Sequence, residues 1–160
     1  MLKLPNTIKM IITDFDGILT DNFVYISENS DSARRLSYKD ITGCFLLKKN
    51  GIDISIISGE KNSAINWLQS TFELKDVHQR IWEKLPVLKS ILEKYGLSQN
   101  EYVYIGDDIN DLECLKYAEY KITVPNAVMQ IKELEGIQIT SQNGGDGAFR
   151  EVADCLANML

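Results

Sequence analysis

Four short patterns carry the residue types that chemistry needs. The first is Asp14-Phe15-Asp16-Gly17, followed by Leu19-Thr20-Asp21. Two carboxylates two residues apart on an extended backbone point to the same side. Their charges repel unless a cation sits between them, and a hard divalent ion such as Mg²⁺ takes oxygen ligands. The second pattern, Gly106-Asp107-Asp108 with Asp111 three residues on, concentrates three more acids in five residues. Joined to Asp14 and Asp16, it would make an oxygen-rich cage suited to Mg²⁺. The third, Ser58-Gly59, offers a hydroxyl and free N–H groups that can hold a phosphoryl oxygen. The fourth is Lys84, a compact positive charge at a predicted helix start. Taken singly, these also fit a turn, a helix cap, a common dipeptide and a solvated lysine. As an ordered set they are much harder to obtain by chance.

The elements that must position them alternate. Met10–Thr13, Ile54–Ser58, Tyr102–Gly106 and Lys121–Val124 are short apolar runs, suited to strands buried on both faces. Val77–Gln79 and Ile137–Thr140 are weaker strand candidates. Between them, Asp40–Asn50, Lys61–Phe72, Lys84–Tyr95, Asp108–Ala118, Val128–Glu135 and Ala148–Leu160 carry helical spacing. This predicts an α/β sandwich, Rossmann-like and three-layered, around a mostly parallel sheet. The first strand is followed by an inserted β-hairpin, Phe23–Ile26 and Ala33–Tyr38 about a turn at 28–31. The insertion is too short to fold around its own core, so no cap domain is expected.

A length of 160 residues predicts one domain over 1–160, large enough to stand without structural zinc or disulfides. The net charge is −6 with no basic block, which argues against nucleic-acid and membrane partners. Cys44, Cys114 and Cys155 are odd in number and widely spaced, as free thiols in a reducing compartment would be. The apolar run Met10–Ile12 is too short for a signal peptide or membrane span, so the expected location is cytoplasmic. His78 reads as structural rather than catalytic.

The ordered set DxDGxLT, Ser, Lys and GDDxxD resembles the haloacid dehalogenase-like superfamily over roughly Met10 to Val152. The inserted hairpin and the tail Gly144-Gly145-Asp146-Gly147-Ala148-Phe149-Arg150-Glu151 resemble its small capless branch. That branch holds octulosonate 8-phosphate phosphatases, nonulosonate (sialic-acid-type) 9-phosphate phosphatases and a domain appended to some acylneuraminate cytidylyltransferases. The resemblance implies that Asp14 is a nucleophile toward phosphorus and Asp16 a proton donor to the leaving oxygen. It implies Mg²⁺ held by Asp14, the Asp16 backbone carbonyl and Asp107. Ser58 and Lys84 would balance phosphoryl charge. Asp108 and Asp111 would orient water ligands and Lys84. A homotetramer closed around the hairpins is also implied, with Phe23, Tyr25 and Ile26 at the contact.

For the substrate, the resemblance places Lys39 and Asp40 in a stretch facing the sugar; Asp40 equally suits a helix cap. Gly59 and Glu60 follow the strand end. Glu60 stands where octulosonate enzymes generally have Arg, and Gly-Glu-Lys here is more like the nonulosonate enzymes. The branch's carboxylate-binding Arg is missing from Asn66-Trp67-Leu68-Gln69-Ser70-Thr71. Arg80, where relatives tend to have Gly, is either its replacement or an exposed loop residue. The expectation is a phosphomonoesterase for a phosphorylated sugar acid, a nonulosonate 9-phosphate first and the octulosonate 8-phosphate second. Another sugar phosphate is a further enzyme reading. The rival of a different class is a regulatory, oligomerising module that has lost turnover.

Overall fold

β-Branched and aromatic runs flanked by turn residues build the strands, and a computed structural model describes residues 2–26 and 32–157. The chain runs β1 (Met10–Thr13), β2 (Tyr25–Ile26), β3 (Ser32–Ala33), α1 (Tyr38–Lys49), β4 (Asp53–Ile57), α2 (Ser63–Phe72) and β5 (Asp76–His78). It continues with α3 (Lys84–Tyr95), β6 (Tyr102–Ile105), α4 (Leu112–Tyr117), β7 (Tyr120–Thr123), α5 (Met129–Lys132), β8 (Gln138–Ile139) and α6 (Ala148–Ala157). The turn expected at 28–31 and the end of the last predicted helix, 158–160, lie outside the described residues.

Six strands form one parallel sheet in the order β5-β4-β1-β6-β7-β8. All four residues of β1 and of β6 are buried, as strands covered by helices on both faces must be. Helix α1 packs on α6 and α2, and α3 packs on α4. The chain leaves β1 toward β4 and β5, then returns to β6 on the other side of β1. The strand order therefore reverses between β1 and β6, and a crevice opens beyond their C-terminal ends. Asp14 follows β1 and Gly106-Asp107 follows β6, so the two acidic patterns meet at that crevice.

Local chemistry sets the boundaries. Ser37 caps α1, its hydroxyl accepting from Lys39 N at 3.2 Å, so the helix starts two residues before the predicted Asp40. Asn62 caps α2, accepting from Ala64 N at 2.7 Å, and trims the predicted Lys61 and Asn62. Helix α4 is shorter than predicted because 109–111 form a 3₁₀ turn in which Asp108 and Asp111 cap each other's backbone. The insertion is a hairpin as expected; among the described residues Tyr25–Ile26 and Ser32–Ala33 pair as strands, with one further bridge between Thr20 and Leu36. The glycine tail has a packing reason. A side chain at 144 would overlap the Gly17 carbonyl, and one at 145 the Thr20-Asp21 backbone. The tail thus lies directly against the loop that carries Asp16. No helix among the described residues is long and apolar enough to cross a membrane.

Candidate active site

Asp14, Asp16, Asn22, Ser58, Gly59, Glu60, Trp82, Asp107, Asp108 and Asn110 line an open pocket of about 100 Å³ at the crevice. That volume takes a phosphoryl group and the atoms next to it. Glu60 and Trp82 are exposed at its mouth.

Lys84 organises the floor. It is only 1% exposed, and its Nζ lies 2.8 Å from both Asp14 Oδ2 and Asp111 Oδ1. Burial opposes its charge, yet the charges of Asp111 and Asp14 outweigh that and hold its pKa above the usual lysine value. Asp14 also accepts from Phe15 N at 2.6 Å. Burial, reinforced by the Asp111 charge, pushes the Asp14 carboxyl well up, and Lys84 pulls it back only in part. Asp107 rises to about 7, mainly by burial and then by the charges of Asp111 and Asp108.

Asp14, Asp107 and Asp111 bring oxygens within 4.8 Å of one another, close enough for one ion to bridge. The hydrogen bonds separate their roles. Both Asp111 oxygens are in use: Oδ1 accepts from Lys84 and Tyr104, and Oδ2 from the backbone N–H groups of Asp107 and Asp108. Asp107 Oδ1 is buried with no partner among the described residues, while Oδ2 accepts from Asn22 at 3.3 Å. Each Asp111 oxygen thus accepts two hydrogen bonds, each Asp14 oxygen one and Asp107 Oδ1 none, so Asp14 and Asp107 keep free lone pairs for a cation while Asp111 orients Lys84. Charge points the same way. Asp14, Asp16, Asp107 and Asp111 face only Lys84 and Arg34, and Asp108 and Glu60 add acids at the rim, an excess of carboxylates that a divalent ion would offset. A hard, oxygen-liganded ion such as Mg²⁺ fits this donor set.

Ser58 is buried at the pocket wall, its Oγ accepting from Glu60 N at 3.2 Å. Asp108 stays exposed at the rim and caps the 3₁₀ turn. Three residues expected at the substrate stand elsewhere. Asp40 is 1% exposed, and its carboxylate accepts from Gly147 N at 3.1 Å and Arg150 N at 3.0 Å, anchoring the start of α6. The negative charge suits that helix end. Lys39 lies at the same junction and donates to the Asp146 carbonyl at 3.4 Å. Arg80 is exposed with φ +62°, outside the pocket lining. Its left-handed backbone is the conformation glycine adopts most readily, which accounts for the glycine expected there. Sequence reasoning missed Asn22, Asn110 and Arg34. Asn22 had one signal, its place just after a loop rich in acids; Arg34 had none.

The fold and site define a class. A stretch of 18–152 matches the family model described as haloacid dehalogenase-like hydrolase, and the chain belongs to that family. Asp14 and Asp16 lie just ahead of the matched stretch, so their assignment rests on the geometry above. Among curated relatives, the Escherichia coli 3-deoxy-D-manno-octulosonate 8-phosphate phosphatase is 28% identical over 157 residues, 98% of this chain and 82% of its own. The Moraxella catarrhalis 3-deoxy-D-manno-octulosonate 8-phosphate phosphatase, solved with magnesium, phosphate and KDO, has a TM-score of 0.90 at 29% identity, covering 96% and 87% of the two chains. The cobalt-bound Haemophilus influenzae phosphatase has a TM-score of 0.88 at 26% identity, covering 96% and 89%. The chain is thus a hydrolase similar to phosphoric monoester hydrolases, two of which are solved with a divalent metal.

Proposed function

We propose that this chain is a Mg²⁺-dependent phosphomonoesterase for a phosphorylated sugar acid, working through an aspartyl-phosphate on Asp14. One observation carries the reading: Asp14 and Asp16 sit together at the strand-order reversal, with Lys84 fixed 2.8 Å from Asp14. The Asp14 carboxylate attacks phosphorus as the bond to the sugar oxygen breaks, and Asp16 gives that oxygen its proton. Water then attacks the phosphorus of the aspartyl-phosphate. Asp16 takes its proton, and phosphate leaves with the Asp14 carboxylate restored. Lys84, the Ser58 hydroxyl and N–H groups near Gly59 offset the charge on the phosphoryl oxygens. Bound at Asp14, Asp107 and the Asp16 carbonyl, Mg²⁺ would supply positive charge to the phosphoryl group.

The curated relatives favour the octulosonate 8-phosphate as substrate. Glu60 at the mouth favours the nonulosonate 9-phosphate, because a carboxylate there accepts hydrogen bonds from hydroxyls or an acyl amide. Lys84 and Arg34 are both committed to acids, so the pocket shows no spare cation for a sugar-acid carboxylate among the described residues. A neighbouring subunit supplies one in this reading. Phe23, Tyr25 and Ile26 of the insertion are 69%, 57% and 82% exposed, an apolar strip that homotetramer packing would cover. Free Cys44, Cys114 and Cys155 suit a cytoplasmic setting.

The test is Mg²⁺-dependent phosphate release from both sugar acids and from neutral hexose phosphates, with Asp14→Asn as the blank. Turnover of a sugar acid that the blank lacks is expected. Preference for neutral sugars would overturn the substrate class, and no release from a folded, Mg²⁺-bound protein would overturn the enzyme reading.

A further inference from the structure

Arg34 stands just beyond β3, on the return arm of the insertion, and its side chain is 6% exposed. Its Nε donates to Asp16 Oδ1 at 2.7 Å and its Nη2 reaches Oδ2 at 3.4 Å. Thr20 Oγ1 donates to the same Oδ1 at 3.1 Å. Two residues further along, Leu36 bridges Thr20 through the backbone. The insertion is therefore sewn to the loop 16–21 at three points: the main-chain bridge, the Arg35–Asp21 ion pair at 2.8 Å, and a guanidinium fork that reaches both Asp16 carboxylate oxygens.

A short carboxylate at a pocket edge has several rotamers, and only a narrow range of them faces a leaving oxygen. A misplacement near 1 Å costs on the order of a hundredfold in rate. A planar fork fixes the plane of a carboxylate as well as its position, which a lysine cannot do. Here Oδ1 takes the two shorter bonds, and Oδ2, 3.4 Å from Nη2, is the oxygen left to carry the proton. We propose that Arg34 is a positioning residue for Asp16, through which the insertion sets the orientation of the group that serves the leaving oxygen. The inference rests on the reading of Asp16 as that group. It assigns the insertion a part in turnover within a single subunit, apart from any role in packing subunits together.

The experiment uses the full chain with Mg²⁺ and two esters, octulosonate 8-phosphate as a poor alkoxide leaving group and p-nitrophenyl phosphate as an activated one. kcat and KM are measured for wild type, Arg34→Met, Arg34→Lys, Asp16→Ala and the double variant Arg34→Met/Asp16→Ala. A group that helps the leaving oxygen matters most where that oxygen leaves badly. Arg34→Met is expected to lower kcat on the sugar ester by about ten- to a hundredfold and on the aryl ester by less than about threefold, with KM little changed. Arg34→Lys should recover part of the loss, and Arg34→Met should add nothing in the Asp16→Ala background.

Equal losses on both esters, a rise in KM alone, or additive losses in the double variant would overturn the proposal. Should Arg34→Met fail to fold, Arg34→Lys decides alone, and an equal loss on the two esters sinks the idea. Equal losses for Asp16→Ala itself would remove the reading beneath it. Ester selectivity in Asp16→Ala but not in the Arg34 variants removes only the proposal.

Discussion

Gly17 and the Asp107 carboxylate lie so close that a methyl group on residue 17 would overlap Oδ2. Gly17 also has φ +86°, a backbone conformation that costs a side-chain-bearing residue about 1–2 kcal/mol. The glycine of the first acidic pattern is thus what lets the loop after β1 pass beneath the acid after β6. Gly17→Ala must displace one of the two. The expected result is loss of Mg²⁺-dependent activity by at least about a hundredfold together with weaker Mg²⁺ binding by calorimetry. Retention of both would show that the loop can shift without disturbing Asp107.

Lys84 offsets two carboxylates at once, so its removal should affect turnover and metal binding in opposite directions. In the proposed mechanism Lys84→Met deletes a charge that offsets the phosphoryl group, and single stabilising groups of this kind are worth about a hundred- to a thousandfold in kcat. It also leaves Asp14 and Asp111 without their shared cation, which makes the site more negative. Metal-free protein should melt lower, while Mg²⁺ should bind as tightly as in wild type or more so. Weaker Mg²⁺ binding in Lys84→Met would mean that the lysine shapes the cage rather than balancing its charge.

Asp40 separates a structural carboxylate from a substrate contact. It accepts two backbone bonds at the start of α6, and losing such a cap costs about 1–2 kcal/mol. Asp40→Ala should lower the melting temperature by several degrees and leave KM for the sugar phosphate unchanged. A raised KM at unchanged stability would return Asp40 to the substrate.

The difference between Asp40 and Asp107 shows what a sequence carries and what it withholds. The meeting of Asp14, Asp16, Ser58, Lys84 and Asp107 at one crevice was legible because each sits at a strand end or helix start, and apolar runs mark those places. The parallel sheet followed from the same runs. Asp40 sits on a helix start too, but its partner, the beginning of α6, is over a hundred residues away. Nothing local distinguishes a carboxylate that caps a distant helix from one that faces a ligand. Arg34 lies in an exposed-looking polar stretch, and only the fold shows it turned inward onto Asp16. The short 3₁₀ turn before α4 was hidden for a related reason. Asp111 has helical spacing, but its side chain folds back onto the N–H groups of Asp107 and Asp108.

The site's acids also predict how pH should govern the metal. Asp107 has a pKa of about 7 against an ordinary value of 3.8, raised by burial and then by Asp111 and Asp108. The folded chain without metal therefore holds this proton more tightly than the unfolded chain does. The resulting stability is fully present below about pH 4 and is lost as pH rises through 7, a change on the order of 4 kcal/mol. Asp14 is shifted in the same direction and adds to the slope. A cation needs the ionised carboxylate, so its apparent affinity should fall steeply as pH drops below 7. Thermal melts from pH 5 to 8.5, with and without Mg²⁺, should show little metal-induced stabilisation at pH 5 and a plateau above about pH 8. Asp107→Asn, which cannot ionise, should melt higher than wild type in the absence of metal at pH 8 and lose most of the Mg²⁺ response. A Mg²⁺ shift that stays flat across this range would place the ion away from Asp107.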